Sequence, residues 1–180
     1  MIYQLIVLIV AAAALIIGFR KGLARQTPAV IGVAFGIISG RLLAPGLNDV
    51  LYGAFPSVHG KVEQTFVYDT IASTLVFTGI CLVFRVVTSF LGDVMKRDDR
   101  TILDNIAGAV YALFEYMLIT SIVLNMGVAL NRNSSLLRYV KSDDGNAVEE
   151  VMLLAPALLG GEDVVDLSHR IQLEEAKKIS

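Results

Sequence analysis

Four long apolar stretches constrain the fold of this chain more than any other feature. A helix that crosses a bilayer needs about 20 predominantly apolar residues, because each residue adds about 1.5 Å towards a hydrocarbon core about 30 Å thick. The stretches that reach this length are residues 1–19, 28–47, 66–91 and 102–130. The sequence therefore predicts an all-α integral membrane four-helix bundle over residues 1–130, followed by a short amphipathic helical C-terminal tail at residues 131–180.

The composition fits a membrane environment. Hydrophobic residues make up 55% of the chain and charged residues 18%, whereas soluble domains are roughly 45–50% apolar and about 25% charged. The formal net charge is −2 and the basic residues are scattered along the chain. A nucleic-acid partner is therefore not expected.

The first apolar stretch carries no charged side chain, and the basic residues Arg20, Lys21 and Arg25 follow it. A secretory signal has its positive charges before the apolar run, so we expect an uncleaved anchor. A second basic group lies between the third and fourth stretches, at Lys96, Arg97 and Arg100. Lys and Arg prefer cytoplasmic loops, which predicts that both termini lie outside the cytoplasm. The basic residues after the fourth stretch favour the opposite orientation; they are Arg132, Arg138 and Lys141.

The second stretch begins at Pro28, a residue suited to the first turn of a helix. Pro45 and Gly46 are expected to end it. The mixed segment from Asn48 to Gln64 is predicted to form a loop or a short helix at the membrane interface.

The tail contains apolar residues at helical spacing, which predicts two short surface helices separated by Gly160 and Gly161. The first stripe comprises Val148, Val151, Met152, Ala155, Leu158 and Leu159, and the second comprises Val164, Leu167 and Ile171. We expect these helices to pack against the bundle or to lie on the bilayer. The alternative is a dedicated partner-docking helix.

Small residues one turn apart are expected to let helix backbones approach closely, since apolar attraction between helices is weak in lipid. The second stretch has a stripe of three glycines, Gly32, Gly36 and Gly40. Gly18 and Gly22 form a similar pair at the end of the first stretch, and Gly108 and Ala112 form one in the fourth. Helix packing is the favoured interpretation; a hinge or a pore lining is the alternative.

Charged side chains inside a membrane helix are costly and tend to face protein or water. Arg41, Asp69, Arg85 and Glu115 lie within or near the stretches, and Asn105 is a further polar residue expected inside the membrane. Arg41 and Glu115 are both about 20 Å from the cytoplasmic ends of their helices, so they could pair. Arg85 is nearer that face and could extend to it, and Asp69 lies near the outer edge. A buried ion pair that fixes helix register is favoured over a polar step in an ion, proton or solute path.

The sequence offers no catalytic constellation, and we do not expect an enzyme. There is no nucleophile elbow, phosphate-binding glycine loop or metal motif. The lone cysteine, Cys81, lies in an apolar run, and the histidines His59 and His169 lack ligand spacing. No cofactor and no metal are expected.

Three short blocks carry a resemblance to the colicin V production protein (CvpA) family, bacterial inner-membrane proteins with four predicted spans. The first is Arg20-Lys21-Gly22-Leu23-Ala24-Arg25-Gln26, after an apolar opening. The second is Asp104-Asn105-Ile106-Ala107-Gly108-Ala109-Val110-Tyr111-Ala112, at the entry to the fourth span. The third is Ser134-Ser135-Leu136-Leu137 followed by Leu153-Leu154-Ala155-Pro156.

The chain also departs from the family pattern at four positions. Gln4 stands where the family often has aspartate, Asn105 replaces an arginine, and Ala112 replaces the second glycine. Glu115 lies where a basic residue is common. A shared role for these positions is therefore not carried over to this chain.

The resemblance implies an inner-membrane protein associated with colicin V production or export and with envelope maintenance. The favoured role is that of a non-catalytic scaffold or accessory factor, in which the glycine stripes pack the bundle and the tail engages partners or lipid. Some relatives carry a serine protease domain after the spans, but a tail of about fifty residues is too short for one. The alternative function is a small oligomeric channel or transporter with a polar path at Arg41 and Glu115. The expected partners are membrane lipid and either further copies of the chain or other membrane proteins.

Overall fold

The computed structural model describes residues 2–54, 62–91, 101–130 and 147–161, with residues 164, 167 and 170. These residues form five α-helices: α1 (Ile2–Lys21), α2 (Thr27–Ala54), α3 (Val62–Leu91), α4 (Ile102–Leu130) and α5 (Ala147–Leu159). A short 3-10 helix, Ala24–Gln26, joins α1 to α2.

The long helices α1, α2, α3 and α4 are each long and apolar enough to cross a membrane. The described residues contain no strand. The predicted all-α class, with four helices long and apolar enough to span a membrane, is thus confirmed.

The predicted end of the second span is wrong. Pro45 lies inside α2, and the helix continues to Ala54. The first part of the predicted interfacial loop, from Asn48, is therefore helical. The reason is that packing against α3 continues beyond Pro45: Asn48 donates a hydrogen bond to Asp69. A proline inside a membrane helix is tolerated where neighbouring groups support the interrupted backbone.

The long helices form two antiparallel pairs. In the first pair, α1 packs along α4, with Gly18 beside Gly108 and Gly22 beside Asp104. In the second pair, α2 packs along α3, and the rings of Phe35 and Phe84 stack with centroids 5.0 Å apart. Close backbone contacts join the first pair, and aromatic contacts join the second pair.

The short helix α5 lies between the two pairs. It contacts α4 most extensively and also contacts α1, α2 and α3. Its buried residues belong to both apolar clusters of the core; they are Val148, Met152, Ala155 and Leu159. The expectation that this part of the tail packs against the bundle is confirmed. Val164 and Leu167, from the second predicted stripe, are also buried in the core.

Some sequence predictions lie outside the described residues. These concern the basic groups at Lys96–Arg100 and Arg132–Lys141, the two histidines and Ile171.

The glycine stripe of α2 yields a stability prediction. A Cβ at Gly36 would lie 2.8 Å from the ring of Phe77 and 3.0 Å from the sulfur of Cys81. We expect Gly36→Ala to lower the free energy of unfolding by about 1–3 kcal/mol, because α2 and α3 must separate. Circular dichroism during thermal unfolding in detergent measures the change.

Gly46→Ala is the matched control, because nothing lies within 4 Å of a Cβ at Gly46. It should leave stability unchanged or raise it by up to about 1 kcal/mol, since alanine favours the helix. Equal effects of the two substitutions would contradict the close contact at Gly36.

Candidate functional site

The connector between α1 and α2 depends on a glycine. Gly22 has a φ of 72°, a conformation in which other residues are strained. Its N–H donates to the carbonyl of Gly18 at 3.0 Å and so ends α1. A side chain at Gly22 would also collide with the carboxylate of Asp104. Glycine is therefore required here both for backbone conformation and for space.

Asp104 anchors this connector to the start of α4. Its backbone carbonyl accepts a hydrogen bond from the N–H of Leu23 at 3.0 Å, and its Oδ1 accepts one from the N–H of Ala24 at 2.9 Å. The N–H of Asp104 in turn donates to the hydroxyl of Thr101 at 3.2 Å, which caps α4. The first and second sequence blocks therefore meet in space.

Gln26 adds a second set of bonds at the same junction. Its side-chain amide donates to the carbonyl oxygens of Gly18, Gly22 and Gly108, at 3.3, 3.1 and 3.2 Å. The residue is only 7% exposed. Because buried backbone acceptors are costly to leave without donors, Gln26 stabilises the end of α1 against α4.

The small residues at this junction allow the two helix backbones to touch. A Cβ at Gly18 would lie 2.5 Å from the Cβ of Ala112, and one at Gly108 would lie 2.6 Å from the carbonyl carbon of Gly22. Larger side chains at either glycine would force α1 and α4 apart.

The glycine stripe of α2 faces two different helices. Gly32 and Gly36 lie against α3, with a Cβ at Gly32 reaching 3.2 Å from Phe84. Gly40 instead lies against α5, where a Cβ would be 3.3 Å from a methyl carbon of Leu159. The stripe therefore makes room for α5 as well as for α3.

Proline inside α5 creates a backbone acceptor that α4 satisfies. Pro156 has no N–H, so the carbonyl of Met152, four residues earlier, loses its helical donor. Ser121 Oγ donates to this oxygen at 3.0 Å and Asn125 Nδ2 at 2.7 Å. Ser121 Oγ also accepts from the N–H of Ala155 at 2.9 Å. These bonds fix α5 to α4.

The C-terminal end of α5 is bound by Arg41. Its Nε donates to the carbonyl of Leu158 at 2.8 Å, and its Nη2 donates to the carbonyl of Ala157. The last carbonyls of a helix have no intrahelical donors and carry partial negative charge, so a guanidinium suits them. Arg41 lies halfway along α2, so α5 ends beside the middle of a long helix. Gly160, with a φ of 82°, then turns the chain away.

The expected ion pair between Arg41 and Glu115 does not form. Arg41 donates its hydrogen bonds to carbonyls of α5. The half-buried Glu115 instead interacts electrostatically with Arg85 and Lys21. Counting along the helices gave equal depths but could not give the direction in which each side chain points.

The other expected polar residues lie apart from one another. Asp69 accepts a hydrogen bond from Asn48 at the far end of α2 from the connector. Arg85 is exposed near the end of α3. Asn105 lies in the first turn of α4, and its Oδ1 is buried without a hydrogen-bond partner. These residues do not form a single site.

Sequence reasoning missed several residues that carry the polar contacts, namely Gln26, Asn48, Ser121, Asn125 and Pro156. Each was visible as a signal: four are polar residues in or beside apolar stretches, and the fifth is a proline inside a helical stripe. Their contacts between helices could not be predicted from spacing, because those partners, such as Gly108 for Gln26 and Met152 for Asn125, are distant in sequence. The described residues contain no group of three His, Cys, Asp or Glu that could hold a metal.

Four long apolar helices, with a short helix packed against all four of them, define a helical membrane protein. The family model for colicin V production protein matches residues 3–142, and the chain belongs to this family. The match includes both blocks that meet at the connector and ends before α5. No curated protein and no solved structure gives a significant match.

The Pro156 contact can be tested with a double-mutant cycle. Ser121→Ala should lower the free energy of unfolding by about 1–3 kcal/mol, because the carbonyl of Met152 loses a donor. Pro156→Ala restores an N–H for that carbonyl within α5, so the same Ser121 substitution should cost less in that background. We expect a coupling of about 0.5–3 kcal/mol from thermal unfolding of the four proteins. Strictly additive costs would contradict the contact.

Proposed function

We propose that this chain is a non-catalytic scaffold or accessory factor that crosses the bacterial inner membrane four times. In this role it supports production or export of a colicin V-type peptide toxin and maintenance of the cell envelope. Family membership supports the link to colicin V production. The observation that carries the scaffold role is the position of α5 inside the bundle.

The interior is filled where α5 lies. Val148 and Met152 are fully buried and Leu159 is 2% exposed, and Leu118 of α4 is fully buried against the same core. A cavity of about 10 Å³ lies beside the end of α5, which is space for about one water molecule. A conduit needs a continuous polar or hydrated path, so this filled centre favours a scaffold over a channel.

The polar groups near the spans also favour a structural role. Arg41, Gln26 and Asn125 each donate to backbone carbonyl oxygens of a neighbouring helix. A small oligomeric channel, the alternative, would use Arg41 and Glu115 along one path. The bonds from Arg41 to α5 do not favour that arrangement.

The outer surface of the helices suits lipid and apolar partners. Large apolar side chains on all four long helices are more than half exposed, including Leu8, Leu42, Val83 and Val123. In the proposed role this surface contacts membrane lipid, and parts of it contact a second copy of the chain or other membrane proteins.

The proposed orientation places the α1–α2 connector in the cytoplasm and both termini outside. The exposed basic residues Arg20, Lys21 and Arg25 support it, because positive charge near the ends of spans is retained on the cytoplasmic side. α5 follows α4 and packs against its later part, beside Val128 and Ala129. In this orientation α5 enters the bundle from the outer side.

Glu115→Gln separates a scaffold from a proton or ion path. It removes a charge with little change in shape, so a scaffold should stay assembled and keep its function. We expect liposomes containing either protein to show no ion or solute flux above empty liposomes. We also expect equal toxin release from a producer strain that lacks the chain and is complemented with either version. Flux by the wild type that the substitution abolishes would establish a path and refute the scaffold.

Cysteine labelling tests the orientation. In a Cys81→Ala background, Ser180→Cys should react with a membrane-impermeant maleimide on intact spheroplasts. Ala24→Cys, in the basic connector, should react only after lysis, because the connector faces the cytoplasm. The reverse pattern would show that the termini are cytoplasmic.

A further inference from the structure

The small cavity lies where α3, α4 and the turn after α5 meet. Its polar lining comes from Thr70, Ser73 and Thr74 of α3 and from Asn125 of α4, and the backbone of Gly160 and Gly161 closes one side. Its volume of about 10 Å³ matches the space that one water molecule needs.

The amide of Asn125 is held in one orientation at this cavity. Its Nδ2 donates to the carbonyl of Ser121 at 2.9 Å and to the carbonyl of Met152 at 2.7 Å, so both N–H groups are used. Its Oδ1 is buried and has no hydrogen-bond partner. Asn125 is only 2% exposed. A buried acceptor without a hydrogen-bond donor is unfavourable, so Asn125 Oδ1 requires a hydrogen-bond donor located in the cavity.

The polar side chains of α3, across the cavity from Asn125, can bind a ligand in the same place. Ser73 Oγ donates to the carbonyl of Asp69 at 2.7 Å, which leaves its lone pairs able to accept. The hydroxyls of Thr70 and Thr74 can donate or accept. A ligand at this place therefore needs at least one donor for Asn125 and one for Ser73.

We propose that the cavity binds one water molecule, which donates to Asn125 Oδ1 and to Ser73 Oγ. The water bridges α3 to α4 directly beside the turn that ends α5. This goes beyond the proposed scaffold function, because it assigns a ligand to the interior. A water fits better than a cation because all the residues that line the cavity are uncharged, and a buried cation without a paired charge is strongly disfavoured.

Water-edited solid-state NMR on the full chain in proteoliposomes tests this site. Polarisation from water protons should reach Asn125 Cγ and Ser73 Cβ faster than it reaches Leu118, which is fully buried elsewhere in the core. Transfer to Asn125 as slow as transfer to Leu118 would overturn the proposal.

A cavity-filling variant provides the second arm. Thr74→Ile places extra carbon in the cavity, so transfer to Asn125 should fall to the level of Leu118. Thr78→Ile is the control, because Thr78 is an exposed residue one turn further along α3 and does not line the cavity. Unchanged transfer in a Thr74→Ile protein with wild-type circular dichroism would overturn the proposal. If that variant does not fold, the wild-type comparison decides.

The identity of the ligand is tested by ion exchange. Thermal unfolding of the wild type in sodium, potassium and choline chloride should give the same Tm, because water is present in all three. A Tm that rises in sodium or potassium relative to choline would show a cation site and overturn the assignment to water.

Discussion

The interior of this protein depends on one constraint: several backbone carbonyls of α5 have no donor within their own helix and need donors from other helices. A helix that ends among other helices leaves its last carbonyl oxygens without donors, and in a bilayer no water is at hand to supply them. Pro156 adds one more such oxygen at Met152. Ser121, Asn125 and Arg41 provide the missing donors from α4 and α2. These bonds tie the two helix pairs together through α5.

At the α1–α2 connector, a second junction is also held by side chains that bind backbone groups at helix ends. Gly22 ends α1, Asp104 binds the N–H groups that follow, and Gln26 binds carbonyls of α1 and α4. The first two blocks that gave the family resemblance therefore build a structural contact between α1, the connector that leads to α2, and α4. Their chemistry is that of helix ends: backbone N–H and carbonyl groups that lack intrahelical partners are bound by side chains.

Much of the fold could be predicted from the sequence, because lipid imposes a length and a composition on each span. The fourth apolar stretch coincides with helix α4, Ile102–Leu130, and the packing of the first tail helix was anticipated from its apolar spacing. The prediction that α2 ends at Pro45 was wrong, because helix propensity does not report the contacts with α3 that stabilise α2 as far as Ala54. The role of Arg41 was missed because its acceptors are backbone atoms, which have no sequence signature.

The position of α5 inside the bundle is the central claim, and the depth of its end in a bilayer tests it most directly. A spin label at Ala157→Cys in the Cys81→Ala background can be compared, by oxygen and nickel-chelate accessibility, with labels at Ile38→Cys and Ala54→Cys. All three residues are exposed on the protein surface; Ile38 is near the middle of α2 and Ala54 is at its end. The structure predicts that the Ala157 label reports a depth like that of Ile38. A depth like that of Ala54, as for a helix lying on the membrane surface, would contradict it.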